Sequence, residues 1–524
     1  MKRAFVFQPF LLLLYPILMT YNHNIGYLTL NVLFRPIIVA LCCVLVLLLL
    51  AMLFIRDIHK AGIFITLIIL LFFCSLPFCE QVDGWANSRT SVLIIKCLAV
   101  LISLVYLALF AYGIIKMRKQ IALNIAIVMN TIVIVLVLFP VFNIGEHEFH
   151  KRQIWKHDRL IKEIKNGTAS TENGKLPNIF YVILDGYARN DVLKEIYDYD
   201  NSEFWDYLNN KGFYIATRAR SNYNQTALSL ASSLNMDYLN DLLIDIDNNS
   251  SDRYLLYSLI RHNDVIRFLQ QYGYKFVTFS SPFAAVDIKN SDIYKPTGFH
   301  LNELENCLIK GTVLSALSKK LVFLNQYDLH RQTILRTFSC LADMAQCEGP
   351  YFIYAHIAAP HPPFVFDKEG GKTIPKREFS FNEGNAFGGT KNEYREGYKD
   401  QLIFITGRME SVIDSIISKS KTPPVIIVQA DHGPGSLFNM ENLEDTYLKE
   451  RFSIVEAYYL PGGDHKNLYE SITPVNTFRL IFNMYYGTDY DLLEDRNYFS
   501  RWSHPYECID VTEAVDKEID MKQI

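Results

Sequence analysis

The chain has 524 residues, half of them apolar, with 51 basic and 55 acidic side chains and a formal net charge of −4. So even a balance leaves no electrostatic footprint for nucleic acid, and no such partner is expected. The apolar residues crowd into the first 145 positions, which excludes a wholly soluble chain.

Five long apolar stretches lie there, at roughly residues 5–21, 36–55, 62–78, 91–115 and 122–144. Each approaches the ~20 residues that cross a bilayer core, so residues 1–145 are predicted to be a transmembrane domain of five helices. Lys2 and Arg3 precede the first stretch, Arg56 and Lys60 follow the second, and Lys116, Arg118 and Lys119 follow the fourth. Residues 80–90 carry Glu80, Asp83 and only Arg89. A positive-inside reading puts the amino terminus in the cytoplasm and everything after residue 145 outside it, as in a multi-pass protein of the cell (inner) membrane. Pro16 and the four later stretches argue against a cleaved signal peptide over residues 1–21. The one charge within a stretch, Lys96, lies near its end, where it can snorkel, which disfavours a transporter.

Residues 146–177 are predicted to be a connector. From 149 to 165, Ile154, Trp155, Leu160, Ile161 and Ile164 alternate with basic residues at helical spacing, which suits a helix on a membrane surface or one packed on the soluble domain. Residues 166–175, rich in Asn, Gly, Ser and Thr, read as a flexible joint.

Residues 178–524 alternate strand and helix. A continuous apolar run in Asn178-Ile-Phe-Tyr-Val-Ile-Leu-Asp185-Gly186 predicts a buried strand, followed by helices over 204–211, 226–234 and 264–272. Strands over 275–279 and 351–356, a helix over 399–419 and a strand over 425–430 come next. This pattern predicts one extracytoplasmic α/β domain with a mostly parallel sheet sandwiched by helices. Outside the apolar stretches only Cys307, Cys340, Cys347 and Cys508 remain, and spacing makes Cys340 with Cys347 one candidate disulfide.

Val425-Ile-Ile-Val-Gln-Ala-Asp431-His432-Gly433 repeats the design of the first strand, an apolar run ending at a carboxylate. Ligands of open α/β sheets gather at the carboxyl ends of strands, so Asp185, Asp431 and His432 are expected in one crevice. Thr226 follows the polar loop Ser221-Asn-Tyr-Asn-Gln and opens a helix of small residues, where free N–H groups favour an anion. The same threonine would suit a plain N-cap in an arbitrary protein. His361, in Ala358-Ala-Pro-His361-Pro-Pro, sits in a proline-stiffened loop after a strand, placed to hold a phosphate or protonate a leaving oxygen. His356 and His465 read as core or surface histidines. Asn222 is a candidate substrate ligand, while Tyr223, Arg189 and Arg220 fit a pocket or plain loop structure equally.

An Asp-Gly after the first strand, a threonine opening a helix some 40 residues on, and an Asp-His-Gly after a late strand resemble the alkaline phosphatase and sulfatase superfamily. Five amino-terminal spans before such a domain resemble, more narrowly, the lipoteichoic acid synthases and the lipid A phosphoethanolamine transferases. The resemblance implies an alkaline phosphatase-like fold, with one divalent metal, Zn2+ or Mn2+, held by Asp185, Thr226, Asp431 and His432. It also implies Thr226 as nucleophile and His361 as a catalytic and substrate-binding residue. The narrower families typically carry glutamate where Asp185 stands. Sulfatases carry Cys or Ser followed by x-Pro-x-Arg, whereas Thr226 is followed by Ala-Leu-Ser-Leu, and the Asp-x-x-x-His of two-metal phosphatases is absent because Ile357 precedes His361 by four. The expectation is a monomeric phosphotransferase that moves phosphoglycerol, phosphoethanolamine or a similar group from a membrane phospholipid, through Thr226, to a cell-envelope glycan or lipid. A membrane-anchored phosphodiesterase or sulfatase-like hydrolase, and a non-catalytic scaffold of the same fold, are the alternatives.

Overall fold

The computed structural model describes residues 5–85, 102, 105–157, 176–243, 246–298, 301–310, 312, 325–462 and 465–515. Two compact units divide the chain, one of residues 1–160 with 301–325, the other of residues 161–300 with 326–524.

The first unit is helical, with Gln8–His23, Phe34–Ile55, Ile58–Trp85 and Lys119–His157 as its long elements. Among the described residues two helices, within Leu30–Ile55 and Lys119–Phe149, are long and apolar enough to cross a bilayer, in place of the five expected. The first predicted span forms a helix of only 16 residues with Pro16 inside it, or about 24 Å of rise, short of a ~30 Å hydrocarbon core. The third lies within the helix Ile58–Trp85, whose apolar part is described over Ile58–Phe73, the fourth shows the shorter helix Val105–Lys116, and the prediction over 91–115 lies partly outside the described residues. The last helix runs on to His157, so the start of the connector continues it, while the joint at 166–175 lies outside the described residues.

One part of the sequence beyond the connector belongs to this helical unit. In the helix Glu303–Lys310, Leu304 packs with Ile17, Leu18, Leu28 and Leu33. Glu305 pairs with Arg35, and the Asn302 amide donates to the Val32 carbonyl at 3.1 Å. Residues 301–310 therefore lie at the end of the first two helices where residues 24–35 join them.

The second unit is built on a seven-stranded sheet. In chain order its strands are β1 (Ile179–Leu184), β2 (Tyr214–Ile215), β3 (Lys275–Phe279), β4 (Ile293–Lys295), β5 (Tyr351–Ile357), β6 (Val425–Gln429) and β7 (Glu456–Tyr459). Their spatial order is β2-β7-β6-β1-β5-β3-β4. The five strands from β6 to β4 are parallel, while β7 and β2 add an antiparallel edge. The central strand β1 is buried at every position, which is why its sequence is apolar throughout rather than alternating. β5 and β6 flank it, with Ile183 opposite His356 on one side and Gln429 on the other. The long helix Lys391–Lys419 begins eight residues before its predicted start because Thr390 and Glu393 form a reciprocal capping box. Cys340 and Cys347 are both free thiols, the first within the helix Gln326–Met344 and the second past its end, so the candidate disulfide is not formed.

Glu456, at the start of β7, is fully buried and, among the described residues, faces no basic side chain at hydrogen-bond distance. Its carboxyl accepts from Thr477 Oγ1 at 2.8 Å and from the Tyr458 hydroxyl. Burial pushes this carboxyl from 4.5 up to about 8. The folded state thus holds a proton that the unfolded chain releases above pH 4.5, and the stability tied to it is full below that value and lost as pH rises toward 8. Thermal unfolding of the purified chain is expected to show a midpoint that declines across this window, by up to about 1.4 kcal/mol per pH unit, with Glu456→Gln flattening the decline.

Candidate metal centre

Three strand ends build the site. β1 ends at Leu184 and Asp185 follows it; β6 ends at Gln429, with Asp431 and His432 beyond. β5 carries His356 near its end and His361 in the loop after it. Because the three strands are adjacent and parallel, their carboxyl ends deliver all five side chains to one place.

Ligand atoms of Asp185, Asp431 and His432 lie within 4.8 Å of one another, and all three residues are buried. His432 Nε2 stands 3.6 Å from Asp185 Oδ1, 3.5 Å from Asp431 Oδ2 and 3.1 Å from the Thr226 hydroxyl. Thr226 is the first residue of the helix Thr226–Ser233, whose cap position is Gln225, so the threonine side chain is not the N-cap. His361 joins the group from the side, its ring 6.3 Å from that of His432. All five residues expected in the centre are thus brought together. Asn222 is not: its amide donates to Arg496 O at 3.0 Å and its carbonyl accepts from Val475 N at 2.9 Å. It is buried and ties loops together rather than facing substrate. Arg189 is likewise spent on Asp191 and the Ala219 carbonyl, and Tyr223 on the Leu239 amide.

Sequence reasoning read His356 as a core or surface histidine and passed over Glu383 and Arg451. His356 Nε2 lies 3.6 Å from Asp185 Oδ2 and 4.0 Å from Asp431 Oδ2. Its position near the end of an apolar strand is the same signal that singled out Asp185. Glu383 lies 3.6 Å from His361 Nε2 and receives both guanidinium nitrogens of Arg451, at 2.8 and 2.6 Å. Arg451 also donates to Asn224 O at 2.8 Å and Gly433 O at 3.0 Å, and its guanidinium sits 4.1 Å over the Phe438 ring. One side chain therefore braces the loop before Thr226, the loop after His432 and the partner of His361. Gly433 permits this closeness, because a Cβ there would stand 2.0 Å from the Glu450 carbonyl oxygen. Gly186, with φ +74°, turns the chain directly after Asp185 and gives its N–H to Asp431 Oδ1 at 3.2 Å.

The electrostatics of the centre are uncompensated. Both oxygens of Asp185, Oδ2 of Asp431 and both nitrogens of His356 are buried without a hydrogen-bond partner among the described residues. Burial and the nearby Asp431 push the Asp185 carboxyl up, while His432 and His356 hold Asp431 down against the cost of burial. Burial opposes charge on His361 as well, but Asp185 and Glu383 outweigh it and raise it to about 9. Glu383, despite burial, is held well below the carboxylate range by Arg451 and His361. Two buried carboxylates with orphaned oxygens beside an imidazole and a hydroxyl fit a divalent cation, whose bonds would satisfy the orphaned carboxylate oxygens. Purified protein is expected to carry about one divalent ion per chain, and Asp431→Asn to lose it, as read by elemental mass spectrometry. Wild-type metal content in Asp431→Asn would rule the centre out.

The Arg451–Glu383 pair makes a second, independent expectation. Arg451→Met strands a buried carboxylate and is expected to cost about 3–5 kcal/mol, seen as a lowered thermal midpoint. Adding Glu383→Gln should restore most of that loss; a double variant as unstable as the sum of the singles would deny the coupling.

No protein-family model matches the chain, and no curated protein matches it in sequence. Solved structures do. The C-terminal periplasmic domain of EptC from Escherichia coli is 11% identical with a TM-score of 0.45, covering 68% of this chain and 98% of that one. Its complex with Zn is 12% identical at the same TM-score, covering 67% and 97%. The integral membrane lipooligosaccharide phosphoethanolamine transferase A of Neisseria meningitidis is 13% identical with a TM-score of 0.40, covering 92% and 94%. A phosphonate monoester hydrolase of Agrobacterium radiobacter is 11% identical with a TM-score of 0.40, covering 62% and 80%. The chain is similar in structure to these proteins, and what its own site can do rests on its own residues.

Proposed function

We propose that the protein is a membrane-anchored, metal-dependent phosphotransferase of the sulfatase-like kind, moving a substituted phosphate from a membrane phospholipid to a cell-envelope glycan or lipid through Thr226. The observation that carries this reading is the Thr226 hydroxyl 3.1 Å from His432 Nε2, beside two buried carboxylates with orphaned oxygens. Asp185, Asp431, His432 and Thr226 would hold the ion, and Zn2+ and Mn2+ both suit two carboxylates, an imidazole and an alkoxide. When bound, such an ion lowers the pKa of a coordinated hydroxyl and draws charge from a phosphoryl oxygen.

The chain's own groups account for the remaining steps. Thr226, having lost its proton to solvent, attacks the donor phosphorus; the new Oγ–P bond forms as the bond from phosphorus to the diacylglycerol oxygen breaks. That oxygen takes the proton of His361, which Asp185 and Glu383 keep charged. In the second half an acceptor hydroxyl gives its proton back to His361 and its oxygen displaces Thr226 from phosphorus, which restores the enzyme.

Topology supports an extracytoplasmic site. Residues 301–310 contact the connection between the first two helices. The positive-inside reading of Lys2 and Arg3, and of Arg56 and Lys60, would put that connection outside the cytoplasm. The sheet, whose strands lie in sequence on both sides of residues 301–310, would then share that side of the membrane.

Intact-mass and peptide spectrometry of protein incubated with phospholipid should find a substituted phosphate on Thr226, absent in Thr226→Ala. The adduct's mass would name the transferred group. Headgroup released only as a free, water-soluble product would make the protein a hydrolase instead.

A further inference from the structure

Resting on the phospholipid-donor reading above, we propose that a chain of aromatic rings leading away from His361 forms the subsite for the apolar glycerolipid end of the donor. Phe283, in the loop after β3, lies edge-on to both site imidazoles, 5.9 Å from the ring of His356 and 5.7 Å from that of His361. Phe381 follows at 4.5 Å from Phe283, Phe379 at 5.0 Å from Phe381, and Tyr327 at 5.3 Å from Phe379. All four are only partly buried, so the run is open along its length rather than sealed in the core. Tyr327 also lines a cleft shared with Phe364, Phe387 and Ile374. Ile374 is 90% exposed, the most exposed large apolar side chain among the described residues. An open apolar run that joins a polar centre fits a ligand with both characters.

Three observations commit the run to the lipid end rather than to a headgroup. In-line displacement at phosphorus places the leaving oxygen opposite Thr226, on the side of the group that protonates it, and the rings begin at that group, His361. The rings from Phe283 to Phe379 meet at steep angles and spend their faces on one another, which leaves little for a cation to sit over. At the inner end of the run Glu383 is taken by Arg451, and His330, which packs against Phe379 and Phe381, is kept neutral by burial. At the outer end Lys376 and Arg377 are both paired with Glu393 around Ile374's cleft, the mixed apolar and charged character of a surface that meets lipid headgroups.

The test is the rate of Thr226 adduct formation in a single turnover without any acceptor. Phosphatidylethanolamine and phosphatidylglycerol in mixed micelles are each compared with their deacylated glycerophosphodiesters. Phe283→Ala and Phe381→Ala are expected to lower the acylated-to-deacylated rate ratio at least about fivefold, since each buried methylene is worth on the order of fourfold in binding. Ile374→Asp, at a position too exposed to disturb folding, should lower the same ratio about threefold. An unchanged ratio in all three variants overturns the inference even if absolute rates fall. So does an unchanged ratio with only transfer to an added acceptor slowed, which would assign the rings to the acceptor. A wild type that forms no adduct with any donor overturns the proposed function as well, and is told apart by that result.

Discussion

Two carboxylates that the sheet forces together, with one backbone N–H donating to one of them, are the constraint on which this structure turns. Asp185 and Asp431 follow neighbouring parallel strands, and neighbouring strands lie about 4.8 Å apart, so the acids cannot separate without breaking the register of β1 with β6. Both strands are buried at every residue, and a shift by one position would drive apolar side chains into the crevice. The repulsion is therefore built into the core. A small positive charge would relieve it, and the orphaned oxygens mark where that charge would sit.

A second layer keeps the geometry once the strands have set it. The Thr226 loop, the Asp431-His432-Gly433 turn and the segment bearing Glu383 come from distant parts of the chain, and none carries regular structure that would hold it against the others. Arg451 does so with four hydrogen bonds from one planar, fully charged group. Lysine could not match that fork, because a single ammonium cannot reach carbonyls and a carboxylate lying in different directions. The same arrangement determines the state of His361. With Glu383 neutralised on one face by Arg451, the remaining pull of that carboxylate and of Asp185 is enough to keep the imidazole charged, although burial works against it.

The legible part of the chain was the part where one residue type answers one local question. β1 and β6 could be read because an apolar run ending in a carboxylate has few other uses, and the helix at Thr226 because a polar loop turns there into small residues. The helices and strands read between 204 and 430 lie where expected, apart from the start of the helix at Lys391, whose capping Glu393 lies ahead of the apolar pattern, but the helices Tyr254–Arg261 and Gln326–Met344 and the strand β4 were not read. The antiparallel edge of β7 and β2 was not legible, since strands of four and two residues leave too little pattern. Arg451 stands in Leu448-Lys-Glu-Arg-Phe452, which reads as an exposed charged helix until the fold buries Glu450 and Arg451 within it. Asn222 failed in the opposite sense. A polar residue four positions from a nucleophile looks available, but only the packing of residues 475 and 496 shows that its amide is already used. Pairings of this kind depend on contacts across more than 200 residues, and no local window contains them.

His356 is placed beside the acids by the strand it belongs to. The carboxylate of Asp185 reaches one methylene less far from the backbone than a glutamate's would. It stays level with the neighbouring strand, and there, opposite Ile183 on β5, stands His356 with its Nε2 3.6 Å from Asp185 Oδ2. Strand registry alone puts this imidazole beside both acids, with no loop to adjust it. His361, five residues further on and past the end of the strand, is placed by contacts of another kind: its backbone N–H donates to the Asp185 carbonyl and its ring faces Glu383. The two histidines thus differ in what governs them. His356 answers to the sheet and to the charge of the metal centre, whereas His361 answers to loops that Arg451 braces, and only the second is held where a departing oxygen could meet its proton.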